Sequence, residues 1–390
     1  MTDRPNDRFR GLTRRDVLRL GALSALGATG LRTTGAAERR PLAERPQAAP
    51  HSLETISGSP RERGRAYGQR FSEEIRRFLD VQIYAAFAER PAEKDELLRY
   101  AGACLEPIRQ LSTELVEELE GLAEGSGLGL EEHVLIALHE ELWHRGVIPS
   151  TAHCTAIAVG PPDTRDGKTF VAESWDWMVN LYGTSRMLLW ERADGPSVLS
   201  YSYPGLWIGA GVNSAGIALC WTSAPDKSIP GPAVGVPSYL LIAHLLYQPS
   251  LEAVEEEAKR AAQAGWFTFV MADGDGRLLN IEGSPKRVVT EWGRGTMARV
   301  YYGTREMTGT PAGQPVPRHP QCARMLELLA GAKGRLDRAT LEASYADHES
   351  TICKHFGTLD VVLFDATERV AHVTRGPGCL GQWQSFRFPP

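Results

Sequence analysis

Apolar positions along this chain follow one spacing before about residue 145 and another after it. From Gly58 onward Phe71, Ile75, Phe78/Leu79 and Ile83 recur every three or four residues, after the flexible positions Gly64 and Gly68. Leu105, Ile108, Leu111, Leu115, Leu119 and Leu122 make a second such face, and Val134, Leu135, Leu138 and Leu142 a third. Three amphipathic helical faces are predicted, each needing an apolar partner. Gly125-Ser126-Gly127-Leu128-Gly129 separates the last two, and Leu130-Glu131-Glu132 opens the third with acidic residues suited to a helix N-terminus.

After Pro149 short strand-like runs take over, divided by Gly, Pro and Asp turns. Strands are predicted near 154–159, 169–174, 187–191, 197–203, 216–221, 267–271, 278–281, 288–291, 359–365 and 370–374. Helices are predicted near 238–247, 251–264, 321–329 and 338–346. Grouped helices and grouped strands predict an α+β fold, with helices layered over antiparallel sheet, rather than alternating βαβ units.

The start of the chain follows neither pattern. Arg4, Arg8 and Arg10 lead into Thr13-Arg14-Arg15-Asp16-Val17-Leu18-Arg19, then a weakly apolar run from Leu20 to Leu31 and small residues at Gly35-Ala36-Ala37. This is the layout of a signal peptide, and its paired arginines resemble the twin-arginine export signal. Residues 1–37 are expected to be removed, and 38–54 to form a linker without periodicity. The apolar run is shorter than the roughly 20 residues a spanning helix needs, so no stable membrane anchor is expected. Export machinery is the implied partner, with a periplasmic or extracellular location after export as a folded precursor.

Composition narrows the remaining classes. Forty-three basic residues against 48 acidic ones, in 390, leave a net charge of -5, which gives no broad basic surface for nucleic acid. Six cysteines are too few for a dense disulfide framework, and their pairing stays open. His133, His139, His144 and His153 precede Cys154, but His139 and His144 lie five apart and do not share a helix face as a zinc-protease pair does. Asp273-Gly274-Asp275-Gly276-Arg277 lacks the remainder of a calcium loop and suits a hairpin turn. No phosphate-binding loop, dinucleotide fingerprint or serine elbow is present. Neither a resident metal nor a cofactor is expected.

Cys154 opens the first strand where the helical region ends. Breaking the His153–Cys154 bond would make it a new N-terminus, with a thiol nucleophile and an α-amine of pKa about 8 in one residue. An apolar, buried cysteine is the other reading of the same position.

Longer segments decide between these readings. Ser150-Thr151-Ala152-His153-Cys154-Thr155 followed by Ala172-Glu173-Ser174-Trp175-Asp176-Trp177 resembles the nucleophile and Trp-Asp segments of the isopenicillin-N N-acyltransferase family, which are N-terminal-nucleophile (Ntn) hydrolases. Gly58-Ser59-Pro60, the run Gly211-Val212-Asn213-Ser214-Ala215-Gly216, Ala272-Asp273 with Glu282, and Asp347-His348-Glu349 leading to Ser350-Thr351-Ile352-Cys353-Lys354-His355 follow in the family's order. The resemblance covers about residues 55–380. It implies a single domain over 55–390 with the four-layer αββα sandwich of two stacked antiparallel sheets, cut into chains 38–153 and 154–390.

By the same resemblance Cys154 is the nucleophile of self-cleavage and of turnover, and Asp176 is the carboxylate beside it. Asn213 lies in the family's Gly-x-Asn-x-x-Gly turn, a place that shapes the pocket or simply closes a hairpin. His153 replaces the usual glycine before the nucleophile, and Lys354 stands where the family has arginine. Gly295-Thr296-Met297-Ala298-Arg299 occupies the stretch that carries the family's oxyanion asparagine, leaving Thr296, Arg299 or a backbone N–H as replacement. Trp175, Trp177, Tyr182, Tyr203, Trp207 and Trp221 are candidate pocket walls. The implied activity is hydrolysis of a small N-acyl amine, amino acid or peptide-like amide. An acyl-CoA-dependent N-acyltransferase acting on a small amine or β-lactam nucleus, and a catalytically impaired binding protein on the same scaffold, are the alternatives.

Overall fold

The computed structural model describes residues 41, 48–87, 91–142, 154–224 and 233–389. The expected signal peptide, most of the linker, and His153 with its bond to Cys154 lie outside the described residues. Among the described residues no helix is long and apolar enough to cross a membrane.

Two sheets stack at the centre. The larger has eight strands in the order β1 (Leu53–Ile56), β4 (Arg186–Trp190), β5 (Val198–Ser202), β6 (Ala210–Asn213), β7 (Ala218–Ser223), β8 (Phe267–Ala272), β9 (Leu278–Ser284) and β10 (Arg287–Gly293). The smaller has six, ordered β11 (Thr296–Arg299), β2 (Thr155–Val159), β3 (Phe170–Asp176), β12 (Thr358–Asp365), β13 (Val370–Arg375) and β14 (Trp383–Arg387). Every pairing is antiparallel except β1 with β4.

Strand alternation sets the layers. On β2, Ile157 and Val159 face one way, onto Met325 and Leu329 of one helix and Leu341 of another. Ala156 and Ala158 face the opposite way, into the larger core between the sheets. Small residues there leave room for the aromatics opposite: Trp175 of β3 lies with its ring centroid 4.9 Å from Tyr201 and 6.2 Å from Trp221, both on the other sheet.

The helices are α1 (Pro60–Arg70), α2 (Ser72–Phe78), α3 (Pro91–Leu111), α4 (Thr113–Ser126), α5 (Leu130–Ala137), α6 (His139–Leu142), α7 (Ser238–Leu246), α8 (Leu251–Arg260), α9 (Arg305–Thr308), α10 (Pro320–Gly331) and α11 (Arg338–Tyr345). The helices α7 and α8 cover the large sheet, and α10 and α11 cover the small one, which completes a four-layer αββα sandwich.

Two expectations change here. Gly64 and Gly68 are not flexible positions before a helix; they lie inside α1, against α4. A Cβ on Gly64 would come within 2.0 Å of the Glu118 carbonyl oxygen, and one on Gly121 within 2.0 Å of the Arg61 carbonyl oxygen. The glycines allow two backbones to touch, which a side chain on either would prevent. The expected linker 38–54 also ends early. His51 exchanges hydrogen bonds with the Gln384 side chain at 2.8 and 3.0 Å, and β1 begins at Leu53. Its parallel pairing partner β4 lies more than a hundred residues away, so no local signal marks it.

Candidate active site

Cys154 immediately precedes β2, and the β2–β3 pairing sets Thr155 opposite Ser174. That register places the partly buried Cys154 beside the end of β3, its Sγ 3.7 Å from the Asp176 carbonyl oxygen. Asp176 is buried at the last position of β3. Its Oδ1 accepts a 2.6 Å hydrogen bond from Thr358 Oγ1. Its Oδ2 accepts from Ser174 Oγ at 3.2 Å and from Lys354 Nζ in a short ion pair. Ser174 Oγ in turn accepts the Thr155 N–H at 3.2 Å. Thr155, the residue after Cys154, is thus tied through one hydroxyl to the Asp176 carboxylate, and through that to Lys354.

The loop bearing Lys354 is itself fixed. Lys354 N–H donates to Thr358 Oγ1 at 3.0 Å, and Trp177 N–H donates to the Gly357 carbonyl at 2.9 Å. Thr155 is anchored from the outer helices, its carbonyl accepting from Tyr345 OH at 2.9 Å and its hydroxyl from Gln321 Nε2. Strand, hairpin and helix packing all hold this corner, which gives the side chains few alternative rotamers.

Burial dominates the electrostatics. It raises the Asp176 carboxyl above the ordinary value, opposed by the Lys354 charge and by the bonds from Lys354, Thr358 and Ser174. It pushes the Cys154 thiol well above its usual range, with the charges of Glu173 and Asp176 adding to the effect. A thiol held above its usual range keeps its proton at neutral pH.

A small cavity of about 10 Å³ touches Cys154 and Asp176, walled by Trp175, Trp177, Trp221, Glu140 and Glu173. It has room for about one water molecule. Glu173 Oε2 accepts the Trp221 N–H at 2.8 Å. Among the described residues Glu173 Oε1 and Glu140 Oε2 are buried without a hydrogen-bond partner. Burial raises both carboxyls well above the usual range.

The expected site residues separate into two groups. Cys154, Asp176 and Lys354 come together, with Trp175, Trp177 and Trp221 around them. Asn213, Thr296 and Arg299 are engaged elsewhere. Asn213 donates to the Leu246 and Gln248 carbonyls at 3.0 and 2.8 Å and accepts from Ala215 and Ile217 N–H, so its amide closes the β6–β7 hairpin and ties it to α7. Thr296 pairs with Val159 at the far end of β2 and donates to Asp163 at 2.8 Å. Arg299 pairs with Ala156, nearer Cys154, but its guanidinium meets Glu282 and Glu291. Of the other aromatics, Tyr203 packs edge-on against Trp175, whereas Trp207 donates to Tyr247 OH at 2.9 Å in a separate network.

Thr358 was not among the expected residues, and nothing near it in sequence signals a role. It reaches Asp176 because β12 pairs with β3 across a register shift at that end. Glu140 was missed for a similar reason, since α6 presents it to the cavity from a segment whose pattern shows only an amphipathic helix.

No protein-family model matches the chain, and no curated protein sequence does. Solved structures similar to it include penicillin V acylase from Agrobacterium tumefaciens, 13% identical with TM-score 0.38, covering 57% of this chain and 82% of that one. A mutant of conjugated bile acid hydrolase from Clostridium perfringens is 13% identical with TM-score 0.43, over 60% of this chain and 92% of that one. Penicillin G acylase from Alcaligenes faecalis is 8% identical with TM-score 0.38, over 49% and 51%.

Proposed function

We propose that the protein is an exported thiol-nucleophile amide hydrolase that acts through Cys154 once the His153–Cys154 bond is cut. The observation that carries this reading is the hydrogen-bonded chain joining Thr155, Ser174, Asp176, Thr358 and Lys354 beside the Cys154 thiol. In the precursor the thiol attacks the His153 carbonyl carbon, the amide becomes a thioester, and water releases the chain ending at His153. The freed α-amine is a base of pKa about 8 on the same residue as the thiol.

In turnover the α-amine takes the thiol proton as sulfur attacks the substrate's acyl carbon. The α-ammonium then returns that proton to the departing amine, leaving a thioester on Cys154. Water, deprotonated by the α-amine, releases the acid and restores the thiol. Asp176 holds the α-ammonium form, and Lys354 keeps the Asp176 carboxylate charged against its burial. Thr296, Arg299 and Asn213 already have partners, so the oxyanion donor of this reading is a backbone N–H. The indoles around Cys154 suit a small, partly apolar acyl group, for which the one-water cavity has to widen. Acyl-CoA is a cytoplasmic donor, so an exported enzyme is expected to hydrolyse rather than transfer.

Intact-mass analysis and a panel of N-acyl amides test the reading. Wild-type protein is expected as two chains meeting at Cys154 and releasing amine, and C154A as one inactive chain. Equal release by both proteins removes Cys154 from the mechanism. Wild-type protein that stays a single chain and is inactive across the panel supports a binding protein instead.

A further inference from the structure

The loop that delivers Lys354 and the turn after β13 together carry a second group of side chains that the amide chemistry does not use. His348, Cys353, His355 and Cys379 point their donor atoms at one spot, all within 4.8 Å of one another. His348 Nε2 lies 3.0 Å from His355 Nε2, which lies 3.2 Å from Cys379 Sγ. Among the described residues no other cluster of three or more such side chains converges in this way.

We propose that these four residues bind a zinc ion in a closed, tetrahedral, structural site. With metal–nitrogen distances of about 2.0–2.1 Å and metal–sulfur distances of about 2.3 Å, a tetrahedron has edges of roughly 3.3–3.8 Å. The two observed separations need only a slight opening to reach that size. Two thiolates with two imidazoles form a soft donor set that selects zinc over magnesium or calcium. Binding replaces the two thiol protons by the metal and releases both to solvent, so the site carries no net charge and leaves the Lys354–Asp176 pair undisturbed.

The position explains what the metal does. Lys354 stands between two of the ligands, Cys353 and His355, while Cys379 comes from the short helical turn after β13. Zinc would pin the Lys354 loop to the C-terminal segment. Between His348 and Cys353 the backbone is left-handed at Ser350 (φ 51°) and Thr351 (φ 60°), two successive non-glycine residues. Such conformations are costly and persist only where surrounding contacts enforce them, which four ligand bonds would do.

The test uses the full chain purified with thiols reduced and treated with zinc or cobalt(II), then freed of unbound metal. Elemental analysis should find close to one zinc per chain. The cobalt form should show a thiolate-to-cobalt charge-transfer band and four-coordinate d–d bands. H348A and C379S alter exposed positions and should each lower retained metal at least tenfold, whereas C104S retains it. Metal retention should be the same in C154A, so the result is separate from the amide reading. No uptake by reduced wild-type protein, or unchanged retention in both ligand variants, overturns the site. A Cys353–Cys379 disulfide that persists in the exported protein, with no metal bound, also overturns it.

Discussion

Glu118 and Glu173 are both fully buried glutamates, one on α4 and the other on β3, yet their surroundings differ sharply. Glu118 Oε1 accepts from Arg63 at 2.8 Å, Trp190 Nε1 at 2.9 Å and Tyr247 OH at 3.0 Å, while Oε2 accepts from the same tyrosine at 2.9 Å. Arg63 and Arg192 both also bind Glu114. Each partner comes from a different element, so the cluster clamps α1 and α4 to the large sheet. Glu173 has the Trp221 backbone N–H on one oxygen and, among the described residues, no nitrogen or oxygen donor on the other, with the Cys220 thiol beside it, at the wall of the Cys154 cavity. A buried carboxylate surrounded by donors is a structural joint. One with fewer donors favours its protonated form, because burial opposes the charged one, and it borders the small cavity beside Cys154.

That contrast can be broken by experiment, beginning with the largest effect. Cys154→Ala should lower amide turnover at least about 10³-fold, as removal of a nucleophile does elsewhere, with little change in stability, measured by amine release and chemical denaturation. An equally large loss of stability would place Cys154 in the structural class with Glu118.

Arg63→Met should cost about 3 kcal/mol in unfolding free energy at neutral pH, because it strands a buried carboxylate. The loss should shrink in acid, where Glu118 carries its proton. Burial foremost pushes Glu118 from the ordinary 4.5 up to about 7, against the pull of Arg63. A carboxyl held above its unfolded value binds its proton more tightly when folded, so its contribution to stability falls as pH rises from 4.5 to about 7. Glu118→Gln has no such group, and its stability relative to wild type should rise across that window by on the order of 3 kcal/mol. Urea titrations at the two ends of the window measure it, and no relative change would mean that Glu118 is ionised throughout.

Lys354→Met should lower turnover about 10²-fold while leaving the fold in place, the size expected when a positioning contact is lost; Lys354→Arg should recover part of it. The smallest effect belongs to Glu173→Gln, which replaces an acid whose proton burial favours by a neutral amide of the same shape. Its unfolding free energy should stay within about 1 kcal/mol of wild type. A loss matching that of Arg63→Met would erase the distinction between the two glutamates.

The proximity of Cys154 to Asp176 was legible because the segments that carry them are near neighbours in sequence. Cys154-Thr155 and Ser174-Trp175-Asp176 stand on one hairpin, and an antiparallel register carries linear order directly into contact. Lys354 was also marked by its Ile-Cys-Lys segment. Asn213, Thr296 and Arg299 show the limit of such reading. Each has suitable chemistry, but their hydrogen bonds to Leu246 and Asp163 and the ion pair of Arg299 with Glu282 depend on partners well separated from them in sequence or on another strand. Strands β6, β11 and β14 also went unforeseen. Ala210-Gly211-Val212-Asn213 has almost no β-branched or aromatic content, and β11 and β14 are edge strands defined by what they pair with.

Local spacing by itself determined most of the helices and strands after Pro149, the α+β class and the placing of Cys154 beside the start of a strand. These follow from backbone periodicity and turn residues, which act over a few neighbours. Tertiary structure alone decided that Gly64 and Gly68 join two helices, that Thr358 reaches Asp176, and that Cys379 meets His348, Cys353 and His355. Each of those contacts closes a long loop, and its partner is chosen by the packing of whole layers rather than by nearby residues.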